Sequence, residues 1–136
     1  MKKKYLIIVL SVICIIGIYM NYKMSNPYPE VTNTSFKIKI NEKYDIIQTS
    51  ATTCDFVRDA DIHQLNILVR RVDRVNWNEK FVILENLDHK YYIYNLKNNE
   101  LFSYTNENNF EIAKHKYNID LNLKNKKYFD RVPINN

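Results

Sequence analysis

The chain has 136 residues, room for one small domain behind an N-terminal segment, and its 20 Lys and Arg against 15 Asp and Glu give a net charge of +5. From Lys23 onward the balance is 17 against 15. That is too even to draw a polyanion onto the domain as a whole, so no nucleic acid partner is expected. The only glycine is Gly17, which excludes from the rest of the chain the phosphate-cradling loops, dinucleotide fingerprints and nucleophile elbows that need glycine for close backbone approach.

Lys2, Lys3 and Lys4 precede an uncharged apolar run that continues to Met20. Tyr5 to Tyr22 would make about 27 Å of helix, close to the thickness of a bilayer core. Tyr19 and Tyr22 stand where interfacial aromatics belong, and the lysines favour an N-terminus inside and a domain outside. Three readings of this segment stand: an uncleaved anchor, a secretory signal cleaved after export, and a lipoprotein signal through Cys14. The anchor is the expectation. No cut near Gly17 or Ser25 has small residues at both required positions, and Ile13 precedes Cys14 where a small residue is needed. The chain is therefore expected to divide into an anchor over 1–24, a linker over 25–34, a domain over 35–123 and a basic, frayed end over 124–136. Asn, Lys, Ile and Tyr make up 62 of the 136 residues. All four have A/T-rich codons, which suggests an AT-rich bacterial genome.

Pro27 and Pro29 keep the linker extended. Ser35 to Ile40 alternates polar and apolar residues as a half-buried strand does. A turn at Asn41-Glu42-Lys43 leads to a second strand over Tyr44 to Thr49. Ser50 to Gln64 reads as polar and irregular. Leu65 to Val75 is β-rich, with Leu65, Ile67 and Val69 on one face, and the phase breaks near Arg70-Arg71, as at a bulge. Phe81 to Leu84 is a continuous apolar strand. Leu87-Asp88-His89 turns the chain into Lys90 to Tyr94, which pairs across Lys97-Asn98-Asn99-Glu100 with Leu101 to Tyr104. Without glycine, turns that need positive φ must use Asn or Asp, and Asn98-Asn99 and Asn108-Asn109 are the expected places. Thr105 or Asn106 then caps a helix over Glu107 to Tyr117. Its stripe is Phe110, Ala113 and Tyr117, and its exit is a left-handed Asn118 followed by apolar Ile119. Leu121 and Leu123 suggest one more short strand. The expected fold is α+β: a mainly antiparallel sheet from about Ser35 to Tyr104, covered in part by one C-terminal helix, behind an N-terminal transmembrane helix.

Val72-x-x-Val75-x-Trp77, Phe81-Val82-Ile83, Tyr91-Tyr92-Ile93-Tyr94 and the capped helix bearing Phe110 resemble a family of small exported bacterial domains of unknown function, often lipoproteins. The resemblance runs from about Ile40 to Leu121. It implies an extracytoplasmic location and this fold class, and it implies no chemistry. The missing lipobox and the glycine-free turns depart from the pattern.

The chemistry-bearing residues are few. Cys54 is alone in the exported part, so no disulfide forms within the domain. His63, His89 and His115 stand 26 residues apart and form no helical ligand pair. Asp55, Asp59, Asp61 and His63 could hold a hard cation, and Cys54 with His63 could form a nucleophilic pair, but the spacing matches no known loop and lacks a sharp-turn glycine. The reading is accordingly no enzyme, no catalytic residue, no cofactor and no metal. The best candidate surface is Arg70, Arg71, Tyr92 and Tyr94, since arginine and tyrosine anchor interfaces. The expected function is a non-catalytic binding module of the bacterial envelope, membrane-bound through residues 5–22, whose partner is an envelope protein or a cell-wall glycan. The alternative is a small envelope enzyme or metal-binding protein using the loop from Cys54 to His63.

Overall fold

The computed structural model describes residues 35–61 and 64–134. The apolar segment 5–22, with Cys14, lies outside the described residues. Among those described, no helix is long and apolar enough to cross a membrane.

The domain is mainly antiparallel β with one C-terminal helix, and its strands form two sheets where one was expected. The first sheet contains β1 (Phe36–Lys39), β2 (Tyr44–Gln48), β3 (Cys54–Asp61) and β4 (Gln64–Val69). The second contains β5 (Val72–Trp77), β6 (Phe81–Asn86), β7 (Tyr91–Asn95) and β8 (Glu100–Tyr104). Helix α1 (Glu107–Lys116) follows, then a two-residue strand β9 (Lys124–Asn125), a 3-10 turn at Lys126–Tyr128 and a second two-residue strand β10 (Val132–Pro133). The sheet orders are β10-β1-β2-β3-β4 and β8-β7-β6-β5-β9.

Alternation along the strands builds two cores. Ile38, Tyr44, Ile46, Cys54, Phe56 and Val69 from the first sheet meet Val72, Val75, Val82, Leu84 and Tyr94 from the second. The opposite face of the second sheet offers Ile83, Tyr91 and Ile93 to Phe110, Ala113 and Ile119 of the helical segment. The second sheet is therefore buried on both sides, which explains the continuous apolar run Val82-Ile83-Leu84.

The helix forms where local chemistry dictates. Asn106 is extended, and its side chain accepts the Asn109 amide at 2.9 Å. Asn118 has φ 53°, and the amides of Asn118 and Ile119 close on the carbonyls of His115 and Lys114 at 3.1 and 2.9 Å. This double closure satisfies the carbonyls at the helix end, and Ile119 is buried beside it.

Several expectations need correction. Residues 54–61 are a strand and not an irregular loop. A bulge at Leu68 sets Ile67 opposite Val57 and Val69 opposite Phe56, so Ile67 and Val69 face opposite ways. Asn108 and Asn109 lie in the first helical turn and not in a positive-φ turn; Asn99 and Asn118 take positive φ as expected, and among the described residues Asp59, Arg71 and His89 do so as well. Leu121 and Leu123 form no strand and pack beneath the helix. The C-terminal residues are no frayed end. Lys124–Asn125 pairs with β5 and Val132–Pro133 with β1, so residues 124–134 strap the two sheets together. The Ile134 amide reaches the Ser35 carbonyl at 2.8 Å.

Candidate functional site

The chain passes from the first sheet to the second at Arg70-Arg71, where the strand phase breaks. Arg71 adopts φ 57°, a left-handed conformation that a long side chain resists. Three contacts hold it there. Its amide donates to Asp55 Oδ1 at 2.8 Å, its carbonyl accepts the Leu87 amide at 2.9 Å, and its guanidinium meets Asp88 Oδ1 at 2.9 Å. Asp55 is buried, so its carboxylate works as a fixed acceptor for the sheet crossing and faces no solvent-filled site.

The β6–β7 turn lies against this crossing. Asn86 organises it, its side chain accepting the amides of Asp88 and Lys90 at 3.1 and 3.0 Å. His89 has φ 55° and places Nδ1 at 3.1 Å from Glu85 Oε1. Arg74 closes on the other oxygen of Glu85. The Glu85 side chain is only 4% exposed. Burial pushes its pKa up, but the hydrogen bonds from Arg74 and His89 outweigh that and hold it below the usual carboxylate range. Neighbouring Tyr91 is pushed up by burial, then by the charges of Glu85 and Glu107. This end of the sandwich therefore carries a fixed polar array, Arg71–Asp88 beside Arg74–Glu85–His89, with Arg70 exposed on its rim.

The four residues expected to form an interaction surface divide. Arg70 and Arg71 are exposed at this end. Tyr92 is half-buried with its hydroxyl toward the same turn, where it accepts from Asn86 Nδ2 at 3.4 Å, and burial together with Asp88 raises its pKa. Tyr94 presents no surface. It is 1% exposed, at the opposite end of β7, with its ring edge-on to Tyr44 and Phe56. Its hydroxyl lies 3.2 Å from the Tyr44 hydroxyl and donates to Asn99 Oδ1 at 3.3 Å. Burial and the Tyr44 hydroxyl push its pKa up to about 12. This tyrosine pair links the two sheets.

The residues considered for catalysis or metal binding do not converge either. Cys54 faces the inter-sheet core, and burial raises its thiol pKa despite the charges of Lys126 and Arg131. Asp55 turns to the opposite face of the same strand. Asp59 is exposed on a bulge, 3.7 Å from Arg58 Nε. His63, and the side chain of Asp61, lie outside the described residues. Among the described residues no group of three His, Cys, Asp or Glu is placed to hold a metal ion. Sequence reasoning missed Glu85, Arg74 and Asp88. The signal available was a lone glutamate ending an apolar strand two residues after Ile83, with arginine on the neighbouring strand.

The model of a family described as protein of unknown function, DUF3997, matches residues 41–128. The chain belongs to this family. The DUF3997 match spans β2 to the 3-10 turn; it contains the whole second core, the first core except Ile38 of β1, and the whole polar end just described. No curated protein and no solved structure matches the chain.

Proposed function

We propose that this DUF3997 protein is a non-catalytic binding module of a bacterial cell envelope, held at the outer face of the cytoplasmic membrane by residues 5–22. The tether is supported by the sequence: three lysines, then an apolar stretch of bilayer length with interfacial tyrosines. The binding role is carried by one observation, the preorganised polar end of the sandwich. Arg71, Asp88 and His89 are exposed there, yet two of them are held in left-handed conformations by buried carboxylates, Asp55 and Glu85. A long side chain held at positive φ, as at Arg71, carries backbone strain of the kind that clusters at ligand clamps and other functional sites. Arg70 at the rim supplies an anchor of the type enriched at interfaces. An envelope protein or a cell-wall glycan, both rich in hydrogen-bonding groups, fits such a surface. The catalytic alternative gains no support from the described residues, because Cys54 and Asp55 point to opposite faces of one strand.

The test is photocrosslinking from position 70 in intact cells. The expected result is a discrete crosslinked species that disappears on His89→Ala and Asp88→Ala substitution in variants whose melting curves show that they still fold cooperatively. Crosslinks that are diffuse, or indifferent to both substitutions, would dismiss this end as the binding surface. Protease added to spheroplasts should digest the domain; full protection would refute the outward topology.

A further inference from the structure

The C-terminal strap carries a charge imbalance that the rest of the domain lacks. Residues 35–123 hold twelve Lys and Arg against thirteen Asp and Glu, whereas residues 124–131 hold Lys124, Lys126, Lys127 and Arg131 against Asp130 alone. The positive excess of the whole domain is thus gathered in eight residues. The strap is fixed in place rather than trailing. Lys124–Asn125 pairs with β5, Val132–Pro133 pairs with β1, and Phe129 stacks on Trp77 with 4.5 Å between ring centres. Lys126 is committed inward, donating to the carbonyls of Val72 and Asp73. Lys124, Lys127 and Arg131 remain exposed.

Apolar groups stand among these cations. Tyr128 is 70% exposed and Val132 46%. The Lys127 ammonium lies 5.4 Å from the Tyr128 ring centre, and the Arg131 guanidinium 4.4 Å from that of Phe36. A rigid segment that offers cations together with an exposed tyrosine and valine has the make-up of a bilayer interface binder, where aromatic rings sit at headgroup depth and ammonium groups meet phosphate. A soluble polyanion would use the charges and leave Tyr128 and Val132 in water. The strap ends beside Ser35, where the chain enters the domain, through the bond between Ile134 and Ser35. Only twelve residues separate Tyr22 from Ser35, a span of at most about 43 Å even fully extended.

We propose that the strap of residues 124–134 is a docking surface for anionic phospholipid headgroups, so that the domain lies against the bilayer instead of swinging from its linker. The charge complementarity carries the choice of occupant, and the membrane-proximal location rests on the tether reading above. Each exposed cation near an anionic surface contributes about fivefold in partitioning. The three together give about a hundredfold, weakened by salt within a Debye length.

The test places the full chain in nanodiscs of phosphatidylcholine alone or of phosphatidylcholine with phosphatidylglycerol and follows amide hydrogen exchange. The expected result is exchange of residues 126–131 slowed about tenfold or more in the anionic discs only, reversed by high salt and by K124Q/K127Q, with the turns at Asn41–Lys43 and Lys97–Asn99 unaffected. Equal exchange in both discs would overturn the proposal, as would protection by a soluble polyanion without protection by anionic lipid. If the chain does not enter nanodiscs at all, the tether reading fails by itself. Flotation of the same chain with phosphatidylglycerol vesicles then decides the strap alone. Flotation that the double substitution weakens at least tenfold sustains it, and no flotation overturns it.

Discussion

Replacing Phe110 by alanine should remove about 4 kcal/mol of stability. Phe110 is fully buried between α1 and the second sheet, stacked on Tyr91 at 5.2 Å and tilted against Tyr104 at 6.2 Å. Returning a Phe side chain to water costs about 1.5–3 kcal/mol. The void adds up to about 2 kcal/mol, at roughly 24 cal/mol per Å3 over a cavity near 100 Å3 that relaxes in part. The stacked geometry contributes about 0.5–1.5 kcal/mol more. Lys114, itself buried and 5.5 Å from the Phe110 ring centre, would also lose the aromatic face beneath it. A domain of this size has about 5–15 kcal/mol in total, so the variant should fold and be marginal. Trp77 is the only tryptophan and packs in the inter-sheet core, which makes its fluorescence a reporter of the far side of the second sheet. With a urea slope of about 1–2 kcal/mol per molar, the midpoint should fall by roughly 2–4 M. A fall of less than about 0.5 M would mean that the helix does not hold the second core as described.

Asp55→Ala should cost about 2–3 kcal/mol by orphaning the Arg71 amide, whereas Asp55→Asn, which keeps an acceptor, should cost about 1 kcal/mol; equal urea midpoints for the two would remove Asp55 as the support of the sheet crossing. The Tyr94 hydroxyl, with a folded pKa of about 12 against an ordinary value near 10, favours the protonated form in the folded state. Its contribution is therefore complete below about pH 10 and is lost as pH rises toward about 12, and Tyr94→Phe should flatten alkaline unfolding over that window. Glu85 has the opposite sign. Its depressed folded pKa makes its contribution present above about pH 4.5 and lost as pH falls through the folded value, so Glu85→Gln should reduce the slope of acid unfolding; an unchanged slope would show that Arg74 and His89 do not stabilise its charge.

Strands with one covered face, and elements with strong end signals, were readable from the sequence. The helix agreed at every level, from the Asn106 cap to the left-handed Asn118. What escaped was structure whose cause is not local. Cys54, Asp55, Phe56 and Val57 are all buried, so β3 lacks the polar–apolar alternation of a half-covered strand, and the charges of Arg58 and Asp59 then made it look like a loop. The strap escaped because two-residue strands have no period, and its order comes from backbone pairing with β1 and β5. The run Tyr91-Tyr92-Ile93-Tyr94 gives two equivalent faces, and nothing in it says that both are covered. The buried end of Tyr94 and the half-open setting of Tyr92 are set by distant partners, Tyr44 and Asn99 in one case and Asn86 in the other. The Arg74–Glu85–His89 group joins two strands and a turn, a juxtaposition that requires the register of β5 on β6.

The hydrogen bond between Ile134 and Ser35 makes the folded unit nearly a closed ring of chain. A ring has no privileged starting point. Joining the two ends by a few residues and opening the chain in the exposed β5–β6 turn, at Asn78–Lys80, would leave every strand neighbour unchanged. For the same reason the unit could be spliced into a surface loop of another protein, since its two ends would meet the host only a hydrogen bond apart.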